Sequence, residues 1–551
     1  MGITSLWKLI HSSERTLTLE QLSHEIYSKT GRRLRVAIDV ALWVFQSKSS
    51  VVGDQSEIRS LFYRFNRLYE LGIRPVFVFD GPKRPEYKRN KFINTIPLES
   101  VFRTNLITMI KLFGFSIWDS YGEAEAECAV LQRLGFVDAV YTGDSDVFLF
   151  GARRVIRQWP SKRHEPVPVY DLTWIFDSTN LDRSDLILIA LLHGSDYDTK
   201  GTKGVGINVA GQLAKCHFHR ELFDDIQLAG RIPLDDERVQ HLFDDLTYEL
   251  QHNSTKNMKR KHTGVVLDPK FPDFSIVIDF IHPLTNIQSD NLLILEKAKA
   301  LKVNLETCRE PDWQSLANFA QNAFKWPGDY VLKRFTSLLF PAFMTNRMRR
   351  KATAQSPNVC QRSSSSQKSN ASAADGSSSQ QTSLIDYFKP TARIHTADKP
   401  ADIVQISAAK VIPDGNIKLY RVEWDRSCWE HFVQLLTPRL DFDIYKDAEN
   451  VALLSQFVES DLNRDEDDQE VAAAVSAGTK KGADKKDMFD LVRRQWVDAD
   501  DVHHKYPSLA LQFQAKKRKA TATSDGQTKL TSFLILPPKR IRSSYSNNTS
   551  H

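Results

Sequence analysis

Cysteine is scarce in this chain, and long apolar runs are missing. The five cysteines among 551 residues, Cys128, Cys216, Cys308, Cys360 and Cys428, are scattered and form no CxxC pair. Such spacing offers no zinc frame and no disulfide framework, and it fits a reducing compartment. Leu186–Leu192, the longest apolar run near the candidate acids described below, is far too short to cross a bilayer. The N-terminus lacks a signal-peptide pattern. Gly2 invites a lipidation reading, but Leu6 stands where Ser or Thr is required. Solenoid-type repeats are absent too. Charge is modest in sum: 74 Lys and Arg against 68 Asp and Glu leave +6, which mildly favours an anionic partner. Hydrophobic residues make up 41%, enough for a sizeable core, and the length implies two or more domains.

What is present is acid in unusual places. Tyr121–Phe150 carries Glu123, Glu125 and Glu127, then a helical pattern, an apolar strand-like run, and Asp144 and Asp146. Buried Asp and Glu are rare unless paired or metal-bound. Arg35–Asp39 and Pro75–Asp80 read as buried strands, each ending in a carboxylate, and Val137–Tyr141 as a third that leads to Asp144. Ile58–Leu71, Val101–Phe113, Glu123–Leu134 and Ser184–His193 have helical spacing, and Asp196 follows the last at once. Strands alternating with helices predict a mostly parallel sheet covered on both faces, with ligands beyond the carboxyl ends of the strands. Seven acids at one edge suggest two hard cations such as Mg²⁺, which take oxygen ligands and can serve phosphodiester hydrolysis. Glu123 and Glu125 are two apart, so both can reach one site only if Glu123 lies at or before the first helical turn. Glu127 is then expected on the exposed face. Taken singly, each acid also reads as a cap or surface charge.

The segments MGITSLW, VAIDVALW, FVFDGPKRP, GEAEAECA, TGDSDVFLFG and LLHGSDYDTKGTKGVG stand, in order, like the motifs of the XPG/flap-endonuclease family of structure-specific nucleases. The chain resembles that family over about residues 1–340. The resemblance implies a PIN-like α/β nuclease core over 1–350, with an N-region at about 1–97 and an I-region at about 115–200. A helix-two-turn-helix element would follow at about 196–220, with a helical extension to 350. It implies two Mg²⁺ ions on Asp39, Asp80, Glu123, Glu125, Asp144, Asp146 and Asp196. Glu127 matches no acid of the family. Lys88 and Arg89 are the nearest matches to basic residues that contact the scissile phosphate, and Lys83 and Lys91 would add DNA contacts. Gly204, Val205 and Gly206 match the hairpin that grips duplex DNA, where the family binds K⁺. The bland readings are a simple turn and a solvated charged loop.

Only 42 residues separate Asp80 from Glu123. That is short for the arch of flap endonucleases and resembles the GEN-type Holliday junction resolvases, in a fungal-like form. The implied activity is Mg-dependent endonuclease cleavage of four-way junctions by paired symmetric nicks, in DNA repair and recombination. The protein would be a monomer in solution and a homodimer on the junction. A 5′-flap endonuclease is the alternative, and a catalytically inactive clamp- or chromatin-binding adaptor a second.

Residues 401–460, with NIKLYRVEW followed by Trp429, resemble a small α+β chromodomain. An aromatic cage for methyl-lysine would use Tyr420, Trp424 and Trp429; resemblance to the resolvases favours a DNA-contacting role instead, and Trp424 and Trp429 also read as ordinary core residues. The Ser-rich linker 351–400 is expected to be disordered. Its Gln381, Leu384, Tyr387 and Phe388 resemble a motif for the PCNA sliding clamp, with a poorer copy at 527–534. The tail 461–551 is read as disordered, with a basic run at Lys516–Lys519 that suits nuclear import or DNA.

Overall fold

The computed structural model describes residues 2–3, 5–48, 56–84, 87–88, 91–92, 100–160, 162, 164–230, 237–286, 292–307, 309–349, 402–412, 417–439 and 488–524. Strand β1 is Arg15–Leu17, β2 Arg35–Asp39, β3 Arg74–Phe79, β4 Tyr87–Lys88, β5 Lys91–Phe92 and β6 Ser116–Asp119. Strand β7 is Ala139–Tyr141, β8 Arg154–Ile156 and β9 Val167–Asp171. A seven-stranded sheet runs in the order β1-β9-β8-β7-β2-β3-β6. Its strands from β6 to β8 are parallel, while β9 and β1 close the edge antiparallel.

Between their end residues the central strands β2, β3 and β7 are apolar because both faces are covered. Alternation along each strand divides them between two cores. Val36, Ile38, Phe77 and Phe79 pack on one side with the helix Ser56–Leu71, whose Ile58, Leu61, Phe62, Phe65 and Leu68 are buried. Ala37, Val76 and Val78 pack on the other with the helices Ala124–Arg133 and Arg183–His193. The α/β core is thus the one expected from the alternating pattern. Among the described residues, no helix is long and apolar enough to cross a membrane.

The C-terminal unit departs from expectation. Strands β10 (Ile403–Ile412), β11 (Ile417–Trp424) and β12 (Arg494–Asp498) form an antiparallel sheet in that order. Its third strand and the helices Ala499–Lys505 and Pro507–Ser524 come from the stretch read as a disordered tail. The unit therefore does not end at 460. Strand β12 is short, and its pairing with β11, Tyr420 opposite Val497, is set by a partner more than seventy residues away rather than by local pattern. Lys516–Lys519 lies on the last helix, not in a coil.

The aromatic cage is not formed. Tyr420 and Trp424 are buried core side chains, with Tyr420 Oη 3.0 Å from His503 Nε2 and Trp424 Nε1 donating to Gln495 Oε1 at 3.1 Å. The linker 351–400, both clamp-like motifs (Gln381, Leu384, Tyr387 and Phe388 in the first, 527–534 in the second) and Arg89 lie outside the described residues.

The unit is docked on the α/β core. Phe432, from the helix Arg426–Leu436, sits with its ring 5.2 Å from Trp313 and 5.1 Å from Phe343 of the helical extension. Asp501 accepts from Arg33 Nη2 at 2.5 Å and Arg349 Nε at 2.8 Å, and all three side chains are largely buried. Burial alone would raise the Asp501 carboxyl, but the Arg349 and Arg33 charges hold it below its ordinary value. Burial and the Arg349 charge lower Arg33, yet a guanidinium stays protonated at any physiological pH.

A carboxylate with a depressed folded pKa stabilises fully above its unfolded value of about 3.9 and loses that contribution as pH falls through the folded value. Asp501→Asn, which strands two buried cations, should cost about 3 kcal/mol at neutral pH. Chemical denaturation from pH 3 to 8 should show the gap to wild type constant above about pH 5 and closing below about pH 4. Equal stability at pH 7 would remove Asp501 as the staple.

Candidate active site

Parallel register delivers the acids to one edge. Asp39 ends β2 level with Val78 of β3, so Asp80 emerges two residues further on at the same edge. Ile38 is level with Tyr141, so the loop carrying Asp144 and Asp146 leaves β7 beside Asp39. Glu123 is the N-cap of the helix Ala124–Arg133, with extended backbone (φ −80°, ψ 140°), and Glu125 is in its first turn. That cap position resolves the spacing problem, because Glu123 is not bound by helical periodicity.

Short bonds tie the acids to the frame. Asp39 Oδ1 accepts from the Ala41 N–H at 3.0 Å. Asp80 Oδ1 accepts from the Ala124 N–H at 3.0 Å, which fixes the helix start to the end of β3, and Asp80 Oδ2 meets Arg84 at 3.1 Å. Glu123 Oε2 accepts from Tyr197 Oη at 2.6 Å, linking the segment that carries Asp196. Asp144 Oδ1 accepts from the Asp146 N–H at 3.1 Å, and Asp146 Oδ1 from the Ile3 N–H at 2.8 Å. Asp39, Glu123, Glu125, Asp144, Asp146 and Asp196 are each 7% exposed or less. Cys128 stands among them: burial first, then the charges of Asp39, Glu127, Glu125 and Asp80, push its thiol well above the ordinary range.

Among the described residues, no three His, Cys, Asp or Glu side chains form a ready-made metal cage. An all-carboxylate set around one edge suits Mg²⁺ or Mn²⁺ nonetheless, because Mg²⁺ keeps several waters and uses one or two carboxylates directly.

Several placements differ from the sequence reading. Glu127 is not exposed: it is fully buried, accepting from Trp118 Nε1 at 2.8 Å and the Asn286 N–H at 3.0 Å. The helix is covered on that face by β6 and by residues 283–286, which no local pattern announces. Burial raises the Glu127 carboxyl against those hydrogen bonds. Val205 is a core side chain, so only its backbone is available to a phosphate, while Gly204 and Gly206 are exposed. Gly206 is the N-cap of the helix Ile207–Ala214. Lys83 is exposed, and its N–H donates to the Tyr121 carbonyl at 3.0 Å. The backbones of Lys88 and Lys91 form the small hairpin β4–β5.

Two features escaped sequence reasoning. Tyr197, adjacent to Asp196, fastens Glu123. The N-terminal segment enters the site: Gly2 has φ +73°, and a Cβ there would lie 2.1 Å from Asp144 Oδ1. Gly81 is held as tightly, since its Cβ would meet the Ser120 carbonyl at 2.1 Å. The MGITSLW motif held the first signal, but only as a family likeness. Gly2→Ala should therefore displace Asp144 and Asp146 and slow any reaction that uses them by about 10–100-fold. Circular dichroism and melting should remain near wild type, and an unchanged single-turnover rate would show that the close approach is irrelevant.

Residues 1–93 match the XPG N-terminal domain and residues 114–196 the XPG I-region. "Flap endonuclease GEN-like 1" of Arabidopsis thaliana is 34% identical over 224 residues, covering 36% of this chain and 37% of the relative. "Flap endonuclease GEN homolog 1" of Homo sapiens is 31% identical over 235 residues, covering 39% of this chain and 25% of the relative. The match thus spans well under half the length of these curated relatives. Among solved structures, a eukaryotic junction-resolving enzyme GEN-1 binding caesium aligns with TM-score 0.63 at 25% identity, over 94% of this chain and all of that one. The Holliday junction-resolving enzyme GEN1 with product DNA, Mg²⁺ and Mn²⁺ aligns with TM-score 0.62 at 23% identity, over the same shares, and shares the fold.

Proposed function

We propose that this chain, which carries the XPG N-terminal domain and I-region on a core folded like the junction-resolving GEN enzymes, is a divalent-metal-dependent, structure-specific DNA endonuclease. Its preferred substrate is a four-way junction, cut by paired symmetric nicks. The observation that carries this reading is the parallel register that brings Asp39, Asp80, Asp144 and Asp146 to one sheet edge, where Glu123 caps the helix that carries Glu125 and bonds to Tyr197, the neighbour of Asp196. These seven would hold Mg²⁺ or Mn²⁺, with K⁺ at the Gly204–Gly206 hairpin. Bound divalent ions supply the polarisation of water and phosphate oxygen that phosphodiester hydrolysis needs.

The chain's own residues do the positioning. Asp80 and the Ala124 N–H lock the helix that carries Glu125, and Tyr197 fixes one oxygen of Glu123. Arg84, beside Asp80, sets a cation at the mouth of the site for a phosphodiester, and Lys83 adds a second, exposed one. Exposed Gly204 and Gly206 let a DNA backbone approach the start of the next helix.

The length of chain between Asp80 and Glu123 favours junctions over threaded flaps. The helix Ser100–Leu112 is core, with Leu106, Met109 and Ile110 fully buried, and β6 follows it. Only residues 81–99 remain for an arch over the site, so a continuous strand need not be threaded. The 5′-flap endonuclease remains the second reading, since both activities use the same acids.

Two copies acting on one junction would account for paired cuts. The basic run at Lys516–Lys519 would serve nuclear import, and Gln381, Leu384, Tyr387 and Phe388 would dock on the PCNA clamp. The docked C-terminal unit would meet DNA rather than methyl-lysine, because Tyr420 and Trp424 are occupied as core.

Asp39→Asn and Asp144→Asn should each lower Mg²⁺-dependent cutting by at least about 100-fold while leaving junction affinity within a few-fold. Chelation should abolish wild-type cutting and Mn²⁺ restore it. Either variant cutting at the wild-type rate would remove that acid from the site.

A further inference from the structure

The segment after the helix Glu237–His252 was not singled out in the sequence, yet it is built. Residues 251–267 hold Lys256, Lys259, Arg260 and Lys261 and no Asp or Glu. All four cations are exposed. The backbone that presents them is pinned from below by Glu249, a fully buried carboxylate. Glu249 accepts from Ser254 Oγ at 2.5 Å, Thr255 Oγ1 at 2.7 Å and the Thr255 N–H at 3.2 Å. Asn253 closes a ring with Met258, accepting its N–H at 3.1 Å and donating to its carbonyl at 2.8 Å, while the Met258 side chain is buried. The His262 N–H returns to the Leu250 carbonyl at 2.7 Å.

Within this frame Lys256 is held at φ +59°, a left-handed conformation that costs a non-glycine residue about 1 kcal/mol or more. A flexible solvated loop would relax out of it. The anchorage runs on into the neighbouring element. Asn257 Nδ2 donates to the Lys215 carbonyl at 3.4 Å, just past the helix Ile207–Ala214. Val265 packs where a Cβ on Gly204 would meet it at 3.2 Å. The basic loop and the Gly204–Gly206 hairpin, with exposed Lys200 and Lys203 beside it, therefore form one surface.

We propose that loop 253–262 is a preorganised phosphate clamp that grips the same duplex arm as the Gly204–Gly206 hairpin, through Lys256, Lys259, Arg260 and Lys261. The inference rests on the nuclease reading above and adds a surface to it. A duplex is the partner these observations favour, because four cations on one pinned loop, beside exposed glycines, suit a run of phosphates. The contacts carry no base information, so they supply affinity and orientation rather than sequence preference.

The test uses the full chain with Lys256→Gln, Lys259→Gln, Arg260→Gln and Lys261→Gln combined. A control variant, Lys297→Gln with Lys299→Gln and Lys302→Gln on the exposed helix Leu292–Glu306, lowers net charge elsewhere. Affinity for a plain duplex and for a four-way junction is measured by fluorescence anisotropy from about 50 to 200 mM salt, with single-turnover cutting at saturating enzyme. Each phosphate contact contributes about 0.9 to the slope of log K against log salt, so the loop variant should lose about 2–4 from that slope. It should bind both DNAs at least about 10-fold more weakly at 100 mM salt, while its saturated cutting rate and melting temperature stay near wild type. The control should change little. Wild-type affinity and slope in the loop variant would overturn the clamp and leave the loop to an acidic protein partner. Equal losses in the control would overturn it as well, because net charge would then explain them. Wild-type protein that neither binds nor cuts the junction would sink the nuclease reading and the clamp with it.

Discussion

Like charges do not gather without a reason, and the repulsion among the carboxylates at the sheet edge is the constraint around which the α/β core is arranged. Two carboxylates about 5 Å apart repel by about 3 kcal/mol at the effective dielectric of a protein surface region. The frame bears this with backbone N–H donors from Ala41, Ala124 and Ile3 and with the Tyr197 hydroxyl. These four donors are neutral, whereas Arg84 brings a positive charge to Asp80. The parallel register of β2, β3 and β7 supplies the rigidity, since Asp39, Asp80, Asp144 and Asp146 each end or follow a strand that is packed on both faces.

That rigidity extends outward in layers. Glu127 joins the helix behind Glu123 to β6 and to the segment ending at Asn286. The helical extension covers the opposite face of the sheet, and the C-terminal unit closes on it through Phe432 and Asp501. The Asp501 staple joins Arg33, just ahead of β2, to Arg349, at the end of the extension. The C-terminal unit thus touches the chain two residues before β2, the strand that ends in Asp39. The surface proposed for DNA lies elsewhere, on exposed Gly204 and Gly206 and on Lys256 to Lys261.

Much of this was legible in the sequence because the relevant signals are local. Buried parallel strands show as apolar runs, so Arg35–Asp39 and Pro75–Asp80 declared themselves with their terminal acids. The helix Ser56–Leu71 showed in its apolar spacing, and the Glu123 cap could be inferred from the two-residue interval to Glu125. What stayed hidden depends on distant partners. Glu127 looked exposed because Trp118 and Asn286, which bury it, are brought in by the fold. Strand β12 looked like tail because its partner is β11. Trp424 proved to be core, one of the readings its sequence allowed, while Tyr420 could not be told from a ligand-facing aromatic because aromatic residues in a short strand give the same pattern whether they face a ligand or a core. The basic loop was overlooked since a charge run alone cannot be told from a solvated one, and only the Glu249 and Asn253 hydrogen bonds distinguish it.

The central claim is that these acids serve a junction-resolving nuclease. The most direct measurement is to map, at single-nucleotide resolution, the products formed by the wild-type chain with Mg²⁺ on a four-way junction that cannot branch-migrate, beside a matched 5′ flap. Paired nicks at symmetric positions, leaving ligatable duplexes, are the predicted result. An untouched junction beside a cleaved flap would contradict it and leave the acids to a flap endonuclease.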